Sequence, residues 1–270
     1  MSRSDYSAVL AIVGSGNLAW HLAGVLDGPT VYYRGDEPSE NWPCPLRHLS
    51  RIAASPPSAV LLAVPDGAIQ SVSEHLAEVI PHATPVVHTS GATSIDRIDA
   101  RFLHRGVLWP IRSLRKPEPV GDWKDLPLVV QANSGVARGF LEQLSGSLSD
   151  TVSWLDDRQR AQLHLAAVFS NNFVTALYEV AYDLCEEYGI PFELLLPIIR
   201  NTAVTQDGTR PALRQTGAAA RGDYVTMQRH LELLDRGTYR DLYERISALI
   251  LQYRLAEHDP HFGGKADDDL

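Results

Sequence analysis

A short glycine-containing segment near the start of the chain has the residue types that bind a dinucleotide. Residues 14–19 read GSGNLA and follow the apolar run VLAIV at 9–13. In such a motif the first glycine permits a tight turn, the second lets the backbone approach a pyrophosphate, and the small last residue lets a helix pack on its strand. The amides of the helix N-terminus then bind the anion. The motif predicts a dinucleotide site at Gly14, Ser15, Gly16, Asn17 and Leu18; the alternative is a plain strand-to-helix turn.

The end of the second expected strand distinguishes NAD from NADP. An acidic residue there accepts a hydrogen bond from the free ribose 2′-OH of NAD, whereas an arginine can bind a 2′-phosphate through two parallel hydrogen bonds. The residue about 20 positions after Gly14 is Arg34, with Asp36 and Glu37 close by. We therefore predict NADP as the cofactor, with NAD as the less favoured alternative.

Two further strand ends carry candidate ligand residues, because ligands of open α/β sheets bind at the C-terminal ends of the strands. Val64, Pro65 and Asp66 end one apolar run and are expected to contact the cofactor, with Asp66 also capping the next helix. Ser90 ends another run and could hydrogen-bond the substrate or nicotinamide, beside Gly91, which allows close backbone approach. The alternative is that Ser90 only caps a turn.

The elements that must position these residues alternate along the first half of the chain, as in parallel βαβ units. Strands are predicted at 8–13, 30–34, 59–64, 85–88, 107–109 and 126–131, and helices at 17–26 and 69–80. After residue 131 no further strand is expected.

The second half reads as helical. A single helix is predicted from 157 to 188, ended by Gly189, and its apolar residues leave so little polar face that it must be buried on several sides. Helices at 192–203, 224–234 and 239–257 are expected to pack around it. The predicted fold class is thus an α/β Rossmann domain with a mostly parallel, doubly wound sheet, followed by an all-α dimerisation domain. The predicted bounds are 1–153 for the first domain, 154–262 for the second, and 263–270 for a disordered acidic tail.

Composition and charge exclude several classes of partner. A formal net charge of −9 argues against a basic surface for nucleic acid or anionic membrane. Two cysteines form neither a disulfide framework nor a cysteine-ligated zinc site, and His258 and His261 lack a third ligand, so no metal is predicted. No apolar run approaches the ~20 residues that span a bilayer, and the first residues lack a signal-peptide pattern. A cytoplasmic protein that binds neither nucleic acid nor membrane is expected.

With these segments in place, the chain resembles the Rossmann proteins with a C-terminal domain of unknown function, a family assigned as NADP oxidoreductases and distantly related to pyrroline-5-carboxylate reductase and the β-hydroxyacid dehydrogenases. The resemblance lies in GSGNLA, LLAVPD at 61–66, VHTSGA at 87–92, HLAAVFSNNF at 164–173, FELLLPIIRNTA at 192–203 and QTGAAARGD at 215–223. It implies an NADP-binding domain, a helical domain that forms a homodimer, and an active site in the cleft between the domains that acts on a small molecule.

The chain also departs from these relatives. In the β-hydroxyacid dehydrogenases a lysine, followed three and four positions later by two asparagines, is the general acid and base; here Asn171 and Asn172 match, but Val168 stands at the lysine position. His164 lies one turn earlier on the same helix face and titrates near neutral pH, so we predict it as the substitute proton donor. A histidine of the core or of a dimer interface is the alternative.

The predicted catalytic residues are therefore His164, Asn171 and Ser90. Substrate contacts are expected from Asn172, Thr216 and Arg221, whose guanidinium suits a carboxylate. Where relatives often carry a histidine before a proline and a glutamine after it, this chain has Trp109, Pro110 and Arg112.

Together these features predict an NADP-dependent oxidoreductase that transfers a hydride between NADP(H) and a small carbonyl or imine. The missing lysine keeps open a second hypothesis, a non-catalytic NADP-binding or sensor protein.

Overall fold

The computed structural model describes residues 10–118, 120–234 and 237–257. Internal contacts divide the chain into two compact units, and the division along the sequence falls between Phe173 and Val174. The predicted tail at 263–270, and the start of the first predicted strand, lie outside the described residues.

The first unit contains an eight-stranded sheet. Its strands are β1 (Leu10–Val13), β2 (Thr30–Tyr33), β3 (Leu46–His48), β4 (Ala59–Leu62), β5 (Val86–His88), β6 (Arg105–Pro110), β7 (Leu128–Ala132) and β8 (Val152–Trp154). They lie in the order β3-β2-β1-β4-β5-β6-β7-β8, and all neighbours are parallel except β6 and β7. This confirms the predicted Rossmann-like sheet.

Both faces of the sheet are covered, because successive residues of a strand point to opposite faces. Ala11 lies in a core that includes α2 (Ile69–Ala77), whereas Ile12 lies in a second core with α1 (Asn17–Val25) and α3 (Gly135–Leu148). Inner strands covered on both faces read as continuous apolar runs, such as AVLL in β4. The doubly wound arrangement follows from these runs.

Sequence analysis missed two strands and one α-helix of the first unit, and the expectation that strands stop after residue 131 is wrong. β3 and β8 lie at the two edges of the sheet and have the sequences LRH and VSW, which lack the apolar run of the inner strands. α3 contains glycines and serines that weaken a helical pattern. The Ser134 side chain nevertheless caps it, and Leu141 and Leu148 are buried in its core-facing stripe.

The predicted helix from 157 to 188 is interrupted by a π-helical turn. α4 (Asp157–Ala167) leads into this turn at Val168–Asn172, and α5 (Phe173–Glu187) follows it. The amide of Phe173 donates to the carbonyl of Val168, five residues back. The extra residue shifts the side chains that follow around the helix axis, so the α-helical spacing expected for a single helix from 157 to 188 does not continue through the turn.

The second unit is helical among its described residues. After α5 come α6 (Leu196–Val204), α7 (Ala218–Arg221), α8 (Tyr224–Leu233) and α9 (Thr238–Glu257). Gly189, with a φ of 63°, follows the end of α5 as expected. The helix predicted at 192–203 begins as a 3-10 turn, and α7 was not predicted. Large apolar side chains such as Leu194 are exposed in this unit, and the homodimer stays a prediction. None of the described helices is long and apolar enough to cross a membrane.

A buried arginine ties α4 to the sheet. The Arg160 side chain is 1% exposed and donates hydrogen bonds to the Gln131 side chain of β7, the Thr93 carbonyl and the Asp157 carboxylate. Because of these contacts α4 belongs to the first unit, and the division at Phe173 comes later in the chain than the predicted boundary at residue 153.

Asp157 extends this network to the segment after β5. Its carboxylate accepts hydrogen bonds from the Ser94 hydroxyl and from the Ile95 amide, the latter at 3.2 Å. Partial burial acts to raise the pKa of Asp157, but the hydrogen bonds from Ser94 and Arg160 outweigh it and lower the pKa. The carboxylate is therefore held ionised beside the buried guanidinium.

Removing this counter-charge should destabilise the first unit. In Asp157→Asn the buried Arg160 loses its paired carboxylate, and we expect the free energy of unfolding to fall by about 3 kcal/mol. The control Asp150→Asn breaks the more exposed pair with Lys124, at 3.4 Å, and should cost less than about 1 kcal/mol. Urea denaturation measures both, and equal losses would contradict the role given to the buried pair.

Candidate functional site

A cavity of about 580 Å³ lies at the C-terminal ends of the inner strands. It is lined by Val13, Gly14, Ser15, Gly16, Asn17, Leu18, Tyr32, Arg34, Ala63, Val64, Pro65, Asp66, Thr89 and Ser90. Every residue predicted to bind the cofactor, except Gly91, lines this cavity. Their roles as ligands stay predictions, but the structure brings them together.

Gly14 is required by the backbone geometry at this edge. Its φ is +126°, and a Cβ there would lie 2.1 Å from the Ala63 carbonyl oxygen. Its amide donates to the Tyr32 carbonyl at 2.9 Å. The turn after β1 is thus packed against the ends of β2 and β4, with no room for a side chain.

The N-terminus of α1 offers amides to this cavity. Gly16 precedes the helix and provides no side-chain cap, and the first helical hydrogen bond runs from the Trp20 amide to the Gly16 carbonyl at 3.1 Å. The amides of the first three helical residues therefore have no partner within the helix, as in helix termini that bind phosphate groups. Ala19 is fully buried, which fits the predicted close packing of helix on strand.

Two polar side chains of this cavity lack partners among the described residues. The Tyr32 hydroxyl is buried without a hydrogen bond, and a buried hydroxyl in that state costs free energy unless a ligand satisfies it. The Arg34 side chain is exposed and makes no hydrogen bond or ion pair with a described residue. Glu37 instead acts on Tyr33, where partial desolvation and then the Glu37 carboxylate raise the pKa of the phenol.

Sequence analysis missed four lining residues, Val13, Tyr32, Ala63 and Thr89. Each lies within one residue of a strand end and within two residues of a predicted position. Asp66 needs a correction, because it does not cap the helix at Ile69. It begins a 3-10 turn that precedes α2, and α2 has no side-chain cap.

A second cavity, of about 430 Å³, lies where α4 and the π turn face β6. It is lined by Trp109, Ile111, Arg112, Ser113, His164, Ala167, Val168, Ser170, Asn171 and Asn172. The predicted His164, Asn171 and Asn172 thus share one cavity. Trp109, Ile111, Arg112 and Ser113 complete it from the other side.

Gly91 packs beneath the imidazole instead of lining the first cavity. A Cβ at this position would lie 2.7 Å from His164 Nδ1 and 2.6 Å from the Trp109 ring. The two rings meet edge to face, with centroids 5.4 Å apart. Since Ser90 lines the first cavity and Gly91 touches a lining residue of the second, this short turn joins the two.

The two ring nitrogens of His164 have different surroundings. Nδ1 is buried and has no hydrogen-bond partner among the described residues, so Nε2 is the nitrogen that can exchange a proton with a molecule in the cavity. The Asn171 side-chain amide, on the same side of the cavity as His164, donates to the Ser113 hydroxyl at 2.6 Å. The asparagine is therefore oriented by the segment that follows β6.

The Ser90 hydroxyl is already engaged within its own turn. It donates to the Thr93 hydroxyl at 2.9 Å and accepts from the amides of Ala92 and Thr93. This geometry supports the alternative in which Ser90 caps the turn; its catalytic role stays a prediction.

Thr216 and Arg221 belong to the second unit. Thr216 lines a mainly apolar cavity of about 330 Å³ among helices of that unit. Arg221 is exposed and lies 4.0 Å from the Asp223 carboxylate, and the Asp223 side chain caps α8. Substrate binding by both residues stays a prediction. The described residues contain no cluster of three histidine, cysteine or carboxylate side chains that could hold a metal.

Comparison with known families agrees with this architecture. Residues 126–250 match the family model DUF2520, described as a domain of unknown function. The match covers the last two strands of the sheet and most of the second unit, which is less than half of the chain. The resemblance predicted from the sequence motifs is thereby confirmed. The comparison with curated proteins finds no match.

Solved structures extend the similarity over nearly the whole chain. A Bacteroides fragilis protein, provisionally named an NADP oxidoreductase, shares 28% identity at a TM-score of 0.80, covering 91% of this chain and 98% of its own. A Thermotoga maritima protein shares 20% identity at a TM-score of 0.68, covering 93% of this chain and 100% of its own. An imine reductase of Myxococcus stipitatus in complex with NADP⁺ shares 17% identity at a TM-score of 0.57, covering 94% of this chain and 95% of its own. The last two show the fold alone.

The buried His88, which precedes the turn between the cavities, should make the stability of the fold depend on pH. Burial, and then the charge of Arg160, lower its pKa to about 4, whereas an unfolded histidine titrates near about 6.5. Between these values the unfolded state binds a proton that the folded state does not. Stability present above about pH 6.5 is therefore lost as the pH falls towards 4, by up to about 3 kcal/mol.

The variant His88→Asn should remove this dependence while keeping an acceptor for the Ser90 amide, which now donates to His88 Nδ1 at 3.2 Å. His75→Asn, at an exposed position of α2, should retain it. Urea unfolding at about pH 7 and about pH 4.5 measures the difference. A wild-type protein equally stable at both values would show that His88 does not contribute in this way.

Proposed function

We propose that this chain is an NADP-dependent oxidoreductase that reduces a small carbonyl or imine. The observation that carries the proposal is the adjacency of two cavities in the first unit. One combines the Gly14 turn, the uncapped start of α1 and Arg34; the other contains His164 and is joined to the first by the Ser90-Gly91 turn. The NADP oxidoreductase name of the Bacteroides fragilis protein agrees with it.

The residues of the first cavity fit NADP. The free amides at the start of α1 would bind the pyrophosphate, and the Gly14 turn leaves room for it. The unpaired guanidinium of Arg34 would bind the 2′-phosphate. The buried Tyr32 hydroxyl, orphaned among the described residues, would gain a hydrogen-bond partner.

The residues of the second cavity would manage the proton. When bound, NADPH would supply a hydride to the carbonyl or imine carbon. His164 Nε2 would give a proton to the oxygen or nitrogen, and the imidazole would take a proton back from solvent, which balances the reduction. Asn171, held by Ser113, would hydrogen-bond the substrate or the nicotinamide amide, and Trp109 would exclude water from one side of the imidazole.

A second candidate function is NADP binding without catalysis. The observation that favours it is Val168, which lines the second cavity at the position where lysine-dependent relatives place their acid and base. In that case NADP would bind, but no small carbonyl or imine would be reduced.

Arg34 should determine the choice of cofactor. In Arg34→Ala, the dissociation constant of NADPH should rise about 10- to 100-fold through loss of charge-assisted hydrogen bonds to the phosphate, while that of NADH should change less than about twofold. Arg51→Ala removes another exposed arginine of the same unit and should change neither. Calorimetric titration measures both constants, and tighter binding of NADH by the wild type would refute the assignment of NADP.

His164 should determine the rate of turnover. On any substrate found by screening keto acids, cyclic imines and aldehydes, His164→Gln should lower kcat by about 10² to 10⁴ and leave the dissociation constant of NADPH within about twofold. Melting temperature must be measured on the same sample, because His164 also packs on Trp109. A large loss of stability with full turnover per folded molecule would place the histidine in the scaffold.

A further inference from the structure

The cavity that contains His164 has an uneven distribution of charge. Its polar lining side chains are Arg112, Ser113, His164, Ser170, Asn171 and Asn172, and no lining residue is acidic. Arg112 is the one lining side chain with a permanent charge. The volume of about 430 Å³ lies within the range of small-molecule sites. A ligand in this cavity meets one fixed cation and no competing anion.

Arg112, like Arg34, has no charged partner among the described residues, whereas several other arginines of the first unit do. Arg101 and Arg138 form ion pairs with neighbouring carboxylates, whereas Arg112 forms neither an ion pair nor a side-chain hydrogen bond with a described residue. A guanidinium in that state can pair with a planar anion through two parallel hydrogen bonds.

The backbone that carries Arg112 is fixed at its start. Residues 111–116, which we call the strap, follow β6 directly. The Ile111 amide donates to the Pro127 carbonyl and the Arg112 amide to the Pro110 carbonyl, both at 3.0 Å. The guanidinium therefore extends from an ordered strand end.

The strap is also fixed at its far end, against the first cavity. The Lys116 ammonium donates to the Ser15 carbonyl at 3.1 Å and pairs with the Glu40 carboxylate at 3.0 Å. The Lys116 amide donates to the Asn17 side chain at 3.2 Å. Through Ser113, which accepts from Asn171, the strap contacts the π turn as well. It holds Arg112 in a defined place relative to both cavities.

We infer that the substrate carries a carboxylate that pairs with Arg112, an inference that rests on the proposed function. The reducible class is then a keto acid or an imino acid in preference to a neutral ketone or imine. An anion placed beside the phosphates of the cofactor, in a chain of net charge −9, needs a cation to offset the repulsion. Arg112 supplies it, and His164 remains free to donate the proton.

The test compares acids with neutral partners of the same shape. The probes are 2-oxobutanoate against its methyl ester, and 1-piperideine-2-carboxylate against 1-piperideine, each with NADPH and the full chain. We expect kcat/KM to favour the acid of a pair by at least about tenfold. In Arg112→Gln the acids should lose about 10- to 100-fold and the neutral partners less than about twofold. Arg115→Gln, which changes an exposed strap arginine outside the cavity lining, should change neither.

A binding measurement separates this inference from the proposed function. In the presence of NADP⁺, an acid probe should raise the melting midpoint of the wild type more than its neutral partner does, and Arg112→Gln should abolish the difference. No turnover of any probe together with this acid preference would overturn the oxidoreductase proposal and keep the anion site. Equal responses to acid and neutral probes, or weaker NADPH binding by Arg112→Gln, would overturn the inference.

Discussion

The arrangement of both cavities depends on one buried cation. Arg160 joins the side chain of a β7 residue, a carbonyl in the segment after β5 and the first turn of α4, and Asp157 supplies the compensating charge. A guanidinium that is 1% exposed is tolerated only where its hydrogen bonds and its counter-ion are in place. His164 lies one helical turn further along α4, so the position of the imidazole follows from this network. The same network orders the turn that carries Ser90 and Gly91.

Much of the fold could be predicted from the sequence because its signals are local. The glycine turn, the apolar inner strands and the helix periods each lie within a few residues, and the cavity around Gly14 contains nearly all residues selected for it. The edge strands β3 and β8 could not be predicted in this way, because a strand with only one neighbouring strand is less buried and needs no continuous apolar run. The π turn at Val168–Asn172 was also missed, because the sequence from 157 to 188 has so little polar face that a phase shift by one residue does not show in the pattern.

The second cavity was less predictable, and the reason is physical. His164 and the two asparagines lie close together in sequence on one predicted helix, so their spacing alone indicated that they could share a site. Arg112 and Ser113 reach the same cavity from an element distant in sequence, and only the tertiary fold brings the Ser113 hydroxyl to 2.6 Å from Asn171. Gly91 shows the same limit: its position under two rings depends on Trp109 and His164, which approach from different elements.

The reversal of direction at β7 has a consequence for how such a protein can change. Because β6 runs parallel to its preceding neighbour and β7 runs back against β6, the connection between them starts and finishes at the edge where ligands bind. If β7 ran parallel to β6, the chain would have to return to the opposite ends of the strands, usually through a helix, and the strap would have no place. Here the hydrogen-bonded ends of two strands hold a segment whose length and side chains can vary without altering the register of any strand. Under the proposed function, substrate preference would be encoded in a short block of codons that can mutate independently of the sheet. A library restricted to that block would then sample new specificities on an unchanged scaffold.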